Sequence, residues 1–258
     1  MTNQDFAKIL YDAYTNQQPL LQDGYANQLN NEKDAYDVQQ ALMALKAESI
    51  GGYKISLTSE ETQKMFDSDS PLYGAQVVSH FQQSPVTLTS KQALDPLTEV
   101  ELMFTAKEDL SPDDSLTDLM NKTLIAPAIE IPDSRFKDWF PGLSKYLVIA
   151  DAAVGGYVVY GQQVETTKYF KNPDELAAVS TVLYHNDEEI KTGNATEVLG
   201  NPLLSLQWLV AKLASQNRKL VAGQHISSGT FLLPEHLTAG TWRASFSHYL
   251  GDVVVKVK

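Results

Sequence analysis

Leu97-Thr98-Glu99-Val100-Glu101-Leu102-Met103-Phe104 sets two acids into an otherwise apolar, strand-like run. Side chains of a strand alternate between its faces, so Glu99 and Glu101 share one face while Val100 and Leu102 take the other. Two carboxylates on one face of a half-buried strand repel each other, and each is costly to take out of water. Either that face meets solvent, as one side of many antiparallel sheets does, or something positive neutralises it. A hard divalent cation with oxygen ligands is the simplest neutraliser. A third acid sits in similar surroundings, Glu130 in Pro127-Ala128-Ile129-Glu130-Ile131.

The sequence around these strands predicts a mixed α/β chain of the α+β type. From about Val86 onward, β-branched runs punctuated by Gly and Pro predict strands at 86–89, 99–105, 126–131, 157–160, 180–185, 224–228, 241–246 and 253–257. One strong helix interrupts them, with Asn201 as N-cap, Pro202 at its first position and Leu206, Leu209, Val210 and Leu213 as its buried stripe. The amino-terminal part reads as two helices, with apolar stripes Phe6, Ile9, Leu10, Ala13 and Ala35, Val38, Leu42, Leu45. Gly51-Gly52 is expected to end the second helix and lead into a strand at 53–58, with Lys54, Ser56 and Thr58 on one polar face. Residues 59–69 are compatible with a short helix, and Ser70-Pro71-Leu72-Tyr73-Gly74 reads as a turn or loop. No repeat, low-complexity tract or long linker is apparent. The expectation is one domain over 1–258, a helical part at 1–75 wrapped on a mixed sheet core at 76–258.

Composition excludes several function classes. The 258 residues, 43% of them hydrophobic, suffice for a sizeable core. With no cysteine there is no disulfide, thiolate metal site or cysteine nucleophile. A net charge of -12 with scattered basic residues argues against nucleic acid as partner. The amino terminus lacks the pattern of a signal peptide, and no apolar run approaches a membrane span, so a cytoplasmic location is expected and no membrane partner. The five histidines show no ligand spacing.

Further segments carry a specific resemblance. Gly52-Tyr53-Lys54-Ile55-Ser56-Leu57-Thr58-Ser59, Pro71-Leu72-Tyr73-Gly74, Glu99-Val100-Glu101, Pro127 through Arg135, Ala150-Asp151 and Gly223 through Thr230 together resemble the 2-keto-4-pentenoate hydratase and 4-oxalocrotonate decarboxylase branch of the fumarylacetoacetate hydrolase superfamily. The likeness runs over nearly the whole chain in the same order. It implies a mixed β-roll, homo-oligomeric assembly, a role in aromatic catabolism, and a Mg²⁺ or Mn²⁺ ion held by Glu99, Glu101 and Glu130. It also implies a 2-oxo acid substrate, whose carboxylate and keto oxygens chelate one octahedral cation, the cation then serving as Lewis acid for an enolate.

The resemblance assigns catalytic roles to Lys54 and Asp151. Lys54 is either the local cation or a proton donor and acceptor with a depressed pKa; its plain alternative is a surface lysine on an edge strand. Ser56, Thr58, Tyr73, Gly74, Gly229 and Thr230 are expected to bind substrate. Asp133 and Arg135 are expected as an ion pair or turn brace behind Glu130. Two positions depart from the family pattern: Leu72 stands where an acid is frequent, and Ala152 where Asn follows the Asp. The stretch after Thr58 has no histidine before His80, which disfavours the hydrolases of the superfamily. The expected activity is a metal-dependent lyase hydrating 2-hydroxypenta-2,4-dienoate to 4-hydroxy-2-oxopentanoate. The alternatives are decarboxylation of 4-oxalocrotonate or a related oxo-diacid, and a ligand-binding member without turnover. Tyr11, Tyr14, Tyr25 and Tyr36 offer aromatic surface for an oligomer interface, or cover their own subunit.

Overall fold

A computed structural model describes residues 1–89 and 91–258. A capping box opens α1 (Asn3–Asn16): Asp5 N donates to Thr2 Oγ1 and Thr2 N donates to Asp5 Oδ2, both at 3.1 Å. Asn31 caps α2 (Glu32–Leu45), and both helices bury the stripes their periodicity predicts. The second helix stops at Leu45, however, and Gly51-Gly52 lies inside β1 (Ile50–Ser56) instead of ending it. A Cβ at Gly52 would fall 1.9 Å from the carbonyl oxygen of His225 on the neighbouring strand, so glycine is required there for a close approach of two backbones.

Ser59 caps α3 (Glu60–Met65), and β2 (Leu72–Val77) follows. This corrects the turn expected over Leu72-Tyr73-Gly74. Only the residues before Leu72 are loop, and every residue of β2 is buried. Gly74 serves again as a close-approach glycine, since a Cβ there would lie 1.8 Å from the carbonyl oxygen of Ala152. The chain continues through β3 (Phe81–Gln83), β4 (Val86–Leu88), β5 (Leu97–Ala106), α4 (Leu116–Asn121), β6 (Thr123–Ile131), α5 (Lys145–Ala150), β7 (Tyr157–Tyr160) and β8 (Val164–Glu165). It closes with α6 (Thr166–Tyr169), α7 (Pro173–Ala177), β9 (Ser180–His185), β10 (Glu188–Asn194), α8 (Pro202–Ser215), β11 (His225–Ser227), β12 (Glu235–His236), β13 (Gly240–Phe246) and β14 (Gly251–Val257).

Two sheets result. The larger runs β2-β1-β11-β5-β6-β7-β3, with β12 added to β5 and β8 to β6; the smaller runs β10-β9-β13-β14-β4. Pairing is mixed: β1 with β11, β3 with β7 and β4 with β14 are parallel, the others antiparallel. Val100, Leu102 and Phe104 of β5 join Ile129 and Ile131 of β6 and Leu206, Leu209 and Leu213 of α8 in one fully buried apolar cluster. Burying each of the large ones contributes about 1.5–3 kcal/mol. A one-residue slip of β5 would drive Glu99 and Glu101 into that cluster, so the apolar face fixes where the acids point. They point to the opposite face, where Met103, Ala126, Ala128 and Val158 form a second, smaller cluster.

The amino-terminal tyrosines cover their own chain. Tyr25 lies between Phe6 and Phe136, with ring centroids at 5.4 and 6.0 Å, and Tyr36 stacks on Tyr73 at 4.6 Å. Tyr11 packs on the core, and Tyr14 carries the Lys46 ammonium 4.3 Å above its ring. Among the described residues no helix is long and apolar enough to cross a membrane.

Candidate metal centre and active site

In the antiparallel pair β5/β6, Glu99 stands directly opposite Glu130, and Glu101 opposite Ala128. Opposed residues share a face, so the three glutamates project together. Lys54 reaches the same face from β1, being opposite Ser227 of β11, which is in turn opposite Met103 of β5. One carboxylate oxygen from each glutamate lies within 4.8 Å of the other two. Lys54, Glu101 and Glu130 are 2%, 1% and 1% exposed, so water cannot screen them; Glu99 is half-buried at the cavity.

The partners of each group differ. Glu101 Oε2 accepts from Ser227 Oγ at 2.5 Å and from Gly229 N at 2.8 Å. The Lys54 ammonium forms an ion pair with Glu130 Oε1, yet neither Glu130 oxygen accepts a hydrogen bond from any described residue. Burial pushes the Glu99 carboxyl up to about 7, with Lys54 opposing and Glu130 adding to the rise. Burial, then Glu130 and Glu99, hold Glu101 well above the usual carboxylate range. For Lys54 burial works against the ammonium, but Glu130 and Glu99 outweigh it and raise its pKa. Of the two roles the sequence left open for Lys54, this direction favours the local cation.

These residues fit a divalent metal. With all three carboxyls ionised, as metal ligation requires, the glutamates and one ammonium fall short of neutrality by two positive charges, the charge of one Mg²⁺ or Mn²⁺. The donors are all hard oxygens, and Glu130 Oε2, the oxygen not paired with Lys54, is buried without a hydrogen bond, a cost that a cation would remove.

A cavity opens beside the glutamates. Lys54, Ser56, Thr58, Thr230, Glu99 and Glu101 line its polar end. Phe66, Trp139, Phe140, Val148 and Val154 wall the remainder. Sequence reasoning missed that wall, although the apolar run Trp139-Phe140-Pro141 in a loop was a readable signal. Val154 enters it from a turn in which Ala152, Ala153 and Val154 all have left-handed φ of 50–53°. A β-branched residue rarely adopts that conformation, so the turn is held by its surroundings.

Several expected site residues stand elsewhere. Tyr73 is opposite Ile55 and so faces away from Lys54; it is fully buried against Tyr36, and its hydroxyl donates to Gln216 Oε1. Gly74 does not line the cavity and admits the Ala152 carbonyl instead. Gly229 spends its N–H on Glu101 and thus orients a glutamate. Asp151 is fully buried outside the cavity lining: Oδ1 pairs with Arg135 Nε, while Oδ2 accepts from Arg135 N at 2.9 Å and Ser134 Oγ at 3.0 Å. Its geometry is that of a brace, and Arg135 takes it as partner in place of Asp133, which caps Leu94 N and Asp95 N.

No family model matches the chain. It is 32% identical over 214 residues to the 2-oxo-hept-4-ene-1,7-dioate hydratase of Escherichia coli, with 78% of each chain covered. It is 31% identical over 202 residues to a 2-keto-4-pentenoate hydratase of Paraburkholderia phymatum, covering 76% of this chain and 74% of that one. Among solved structures, the 4-oxalocrotonate decarboxylase from Pseudomonas putida G7, complexed with magnesium and adipate, superposes with a TM-score of 0.89 over 99% of this chain and 97% of that one, at 22% identity. The fold is thus a curled mixed sheet shared with that decarboxylase. By these relatives the chain belongs to the family of the 2-keto-4-pentenoate hydratases, which are lyases.

Proposed function

We propose that the chain is a Mg²⁺- or Mn²⁺-dependent lyase that adds water to a small unsaturated 2-oxo acid, converting 2-hydroxypenta-2,4-dienoate to 4-hydroxy-2-oxopentanoate. The observation that carries this reading is the convergence of Glu99, Glu101 and Glu130 around a two-charge deficit beside Lys54. When bound, the cation supplies Lewis-acid stabilisation of negative charge on the 2-oxo group. The chain's own residues do the remainder. Ser227 and Gly229 fix Glu101; the Lys54 ammonium holds a proton at Nζ and faces the anionic end of the substrate; Ser56, Thr58 and Thr230 offer hydroxyls around it. The aromatic wall encloses the apolar part of the substrate.

Decarboxylation of 4-oxalocrotonate is the second reading, favoured by the match to the decarboxylase fold over almost the full chain. Following dienoate absorbance and released carbon dioxide on both substrates separates the two. Activity that survives thorough chelation and the double change Glu99→Gln, Glu101→Gln refutes both. One domain over the full chain and a homo-oligomer are part of the proposal; light scattering at the mass of a 28.5 kDa monomer across micromolar concentrations removes the second.

A further inference from the structure

The cavity is chemically one-sided. Among the described residues that line it, Lys54 is the only cation, and Glu130 already pairs with it. Away from the glutamates the cavity ends on aromatic rings: Phe66 and Phe140 have centroids 6.3 Å apart, Trp139 and Phe140 5.6 Å. The polar atoms there are taken. Trp139 Nε1 donates to the Asp95 carbonyl at 2.9 Å, and Thr62 Oγ1 to the Ser59 carbonyl at 3.1 Å. On neighbouring elements Lys191 pairs with Glu235 and Lys64 with Glu60 at 3.5 Å, while Lys145 keeps its charge and bonds the Asp67 carbonyl, outside the cavity lining. Glu60 and Glu61, beside Thr62 on α3, add negative potential to the same side.

We infer that Phe66, Trp139 and Phe140 determine specificity: they select 2-oxo acids whose far end is uncharged and apolar, and reject those that end in a second carboxylate. This rests on the reading of the glutamate cluster as the anchor for the 2-oxo acid head, and it adds what the tail must be. A second carboxylate of an oxo-diacid would be stripped of water against three rings whose one polar atom, Trp139 Nε1, is already bonded. A methyl or longer alkyl end instead gains by burial there. The selection is for the dienoates of the proposed hydration, whose far end is uncharged, and against the oxo-diacid of the decarboxylase reading.

Two stable acids of equal length test it: 2-oxohexanoate, ending in a methyl group, and 2-oxoadipate, ending in a carboxylate. Calorimetric titration of each into the Mn²⁺-loaded protein is expected to give affinity for 2-oxohexanoate at least about 100-fold tighter. Phe140→Arg, at a half-buried position on the rim, is expected to shrink that ratio by restoring a counter-charge. Equal or tighter binding of 2-oxoadipate to the unaltered protein overturns the inference while leaving the anchor intact. If neither acid binds in a Mn²⁺-dependent way, the anchor falls and the inference with it. The ratio in the unaltered protein decides the matter even where the Arg variant does not fold.

Discussion

Lys54 shares a water-free pocket with three carboxylates, so its charge acts on metal and substrate in opposite directions. Replacing it with the uncharged Lys54→Met removes a cation beside the metal site, and Mn²⁺ affinity is expected to rise about tenfold, a modest share of the repulsion between two charges this close at protein-like screening. Turnover is expected to fall at least about 100-fold, because the same change removes the ammonium that faces the substrate. Calorimetry with Mn²⁺ and initial rates on the same preparation read the two effects separately, and weaker Mn²⁺ binding contradicts the assignment. Glu130→Gln is expected to lower metal affinity and turnover together. Asp151 supplies the contrast: Asp151→Asn leaves the Arg135 guanidinium buried without a charge partner, which costs about 3–5 kcal/mol in denaturant unfolding. A variant of unchanged stability that has lost only kcat restores the catalytic role for Asp151. Glu99 and Glu101 were legible as acids sharing one strand face and Glu130 as a third acid in an apolar strand; that they converge needed the β5/β6 register. Tyr73 and Asp151 were misplaced because a motif identifies a position and not the face it occupies; that face depends on β2 being a strand and on Arg135 turning to Asp151.

At the level of elements, the strands and helices with strong apolar periodicity were readable, among them α1, α2, α8, β5, β6 and β13. β10 was not, because Glu188-Glu189-Ile190-Lys191-Thr192-Gly193-Asn194 is an edge strand that buries only Gly193 and carries the charges that keep an edge from pairing further. β2 was hidden for the opposite reason. Its glycine resembles turn chemistry, and nothing local announces that the Ala152 carbonyl needs the space of a side chain. Gly52 poses the same case inside β1, where its strand must run within contact of His225 on β11 while carrying Lys54 two residues on. Gly52→Ala is therefore expected to push β1 away from β11, lowering thermal stability and, through the displaced Lys54, turnover. Glycine's backbone entropy favours alanine by about 0.5–1 kcal/mol in a strand that has room. A Gly52→Ala protein that is as stable as the parent, or more so, shows that the two backbones are not in contact.

For the molecule as a whole, Glu99, Glu101 and Glu130 repel one another when ionised, yet are held together by an apolar sheet face that cannot slip. Folding of the metal-free chain works against that repulsion; the unfolded chain, with its carboxylates apart and hydrated, does not. A divalent cation that binds only the folded chain stabilises it by RT ln(1 + [L]/Kd), about 2.7 kcal/mol at a hundredfold excess over Kd. For a chain of this size that is a rise in Tm of roughly 5–10 °C. Chelation should reverse the rise, and sodium at matched ionic strength should not reproduce it. The double change Glu99→Gln, Glu101→Gln separates this account from non-specific binding of cations to an acidic protein. It removes the repulsion, so the metal-free variant is expected to melt above the metal-free parent; it also removes two ligands, so Mn²⁺ is expected to add almost nothing further. Scanning calorimetry of the four samples, parent and variant with and without Mn²⁺, reads both signs at once. A variant that melts below the metal-free parent, or that still gains the parent's increment from Mn²⁺, means that the three glutamates are not the ion's site.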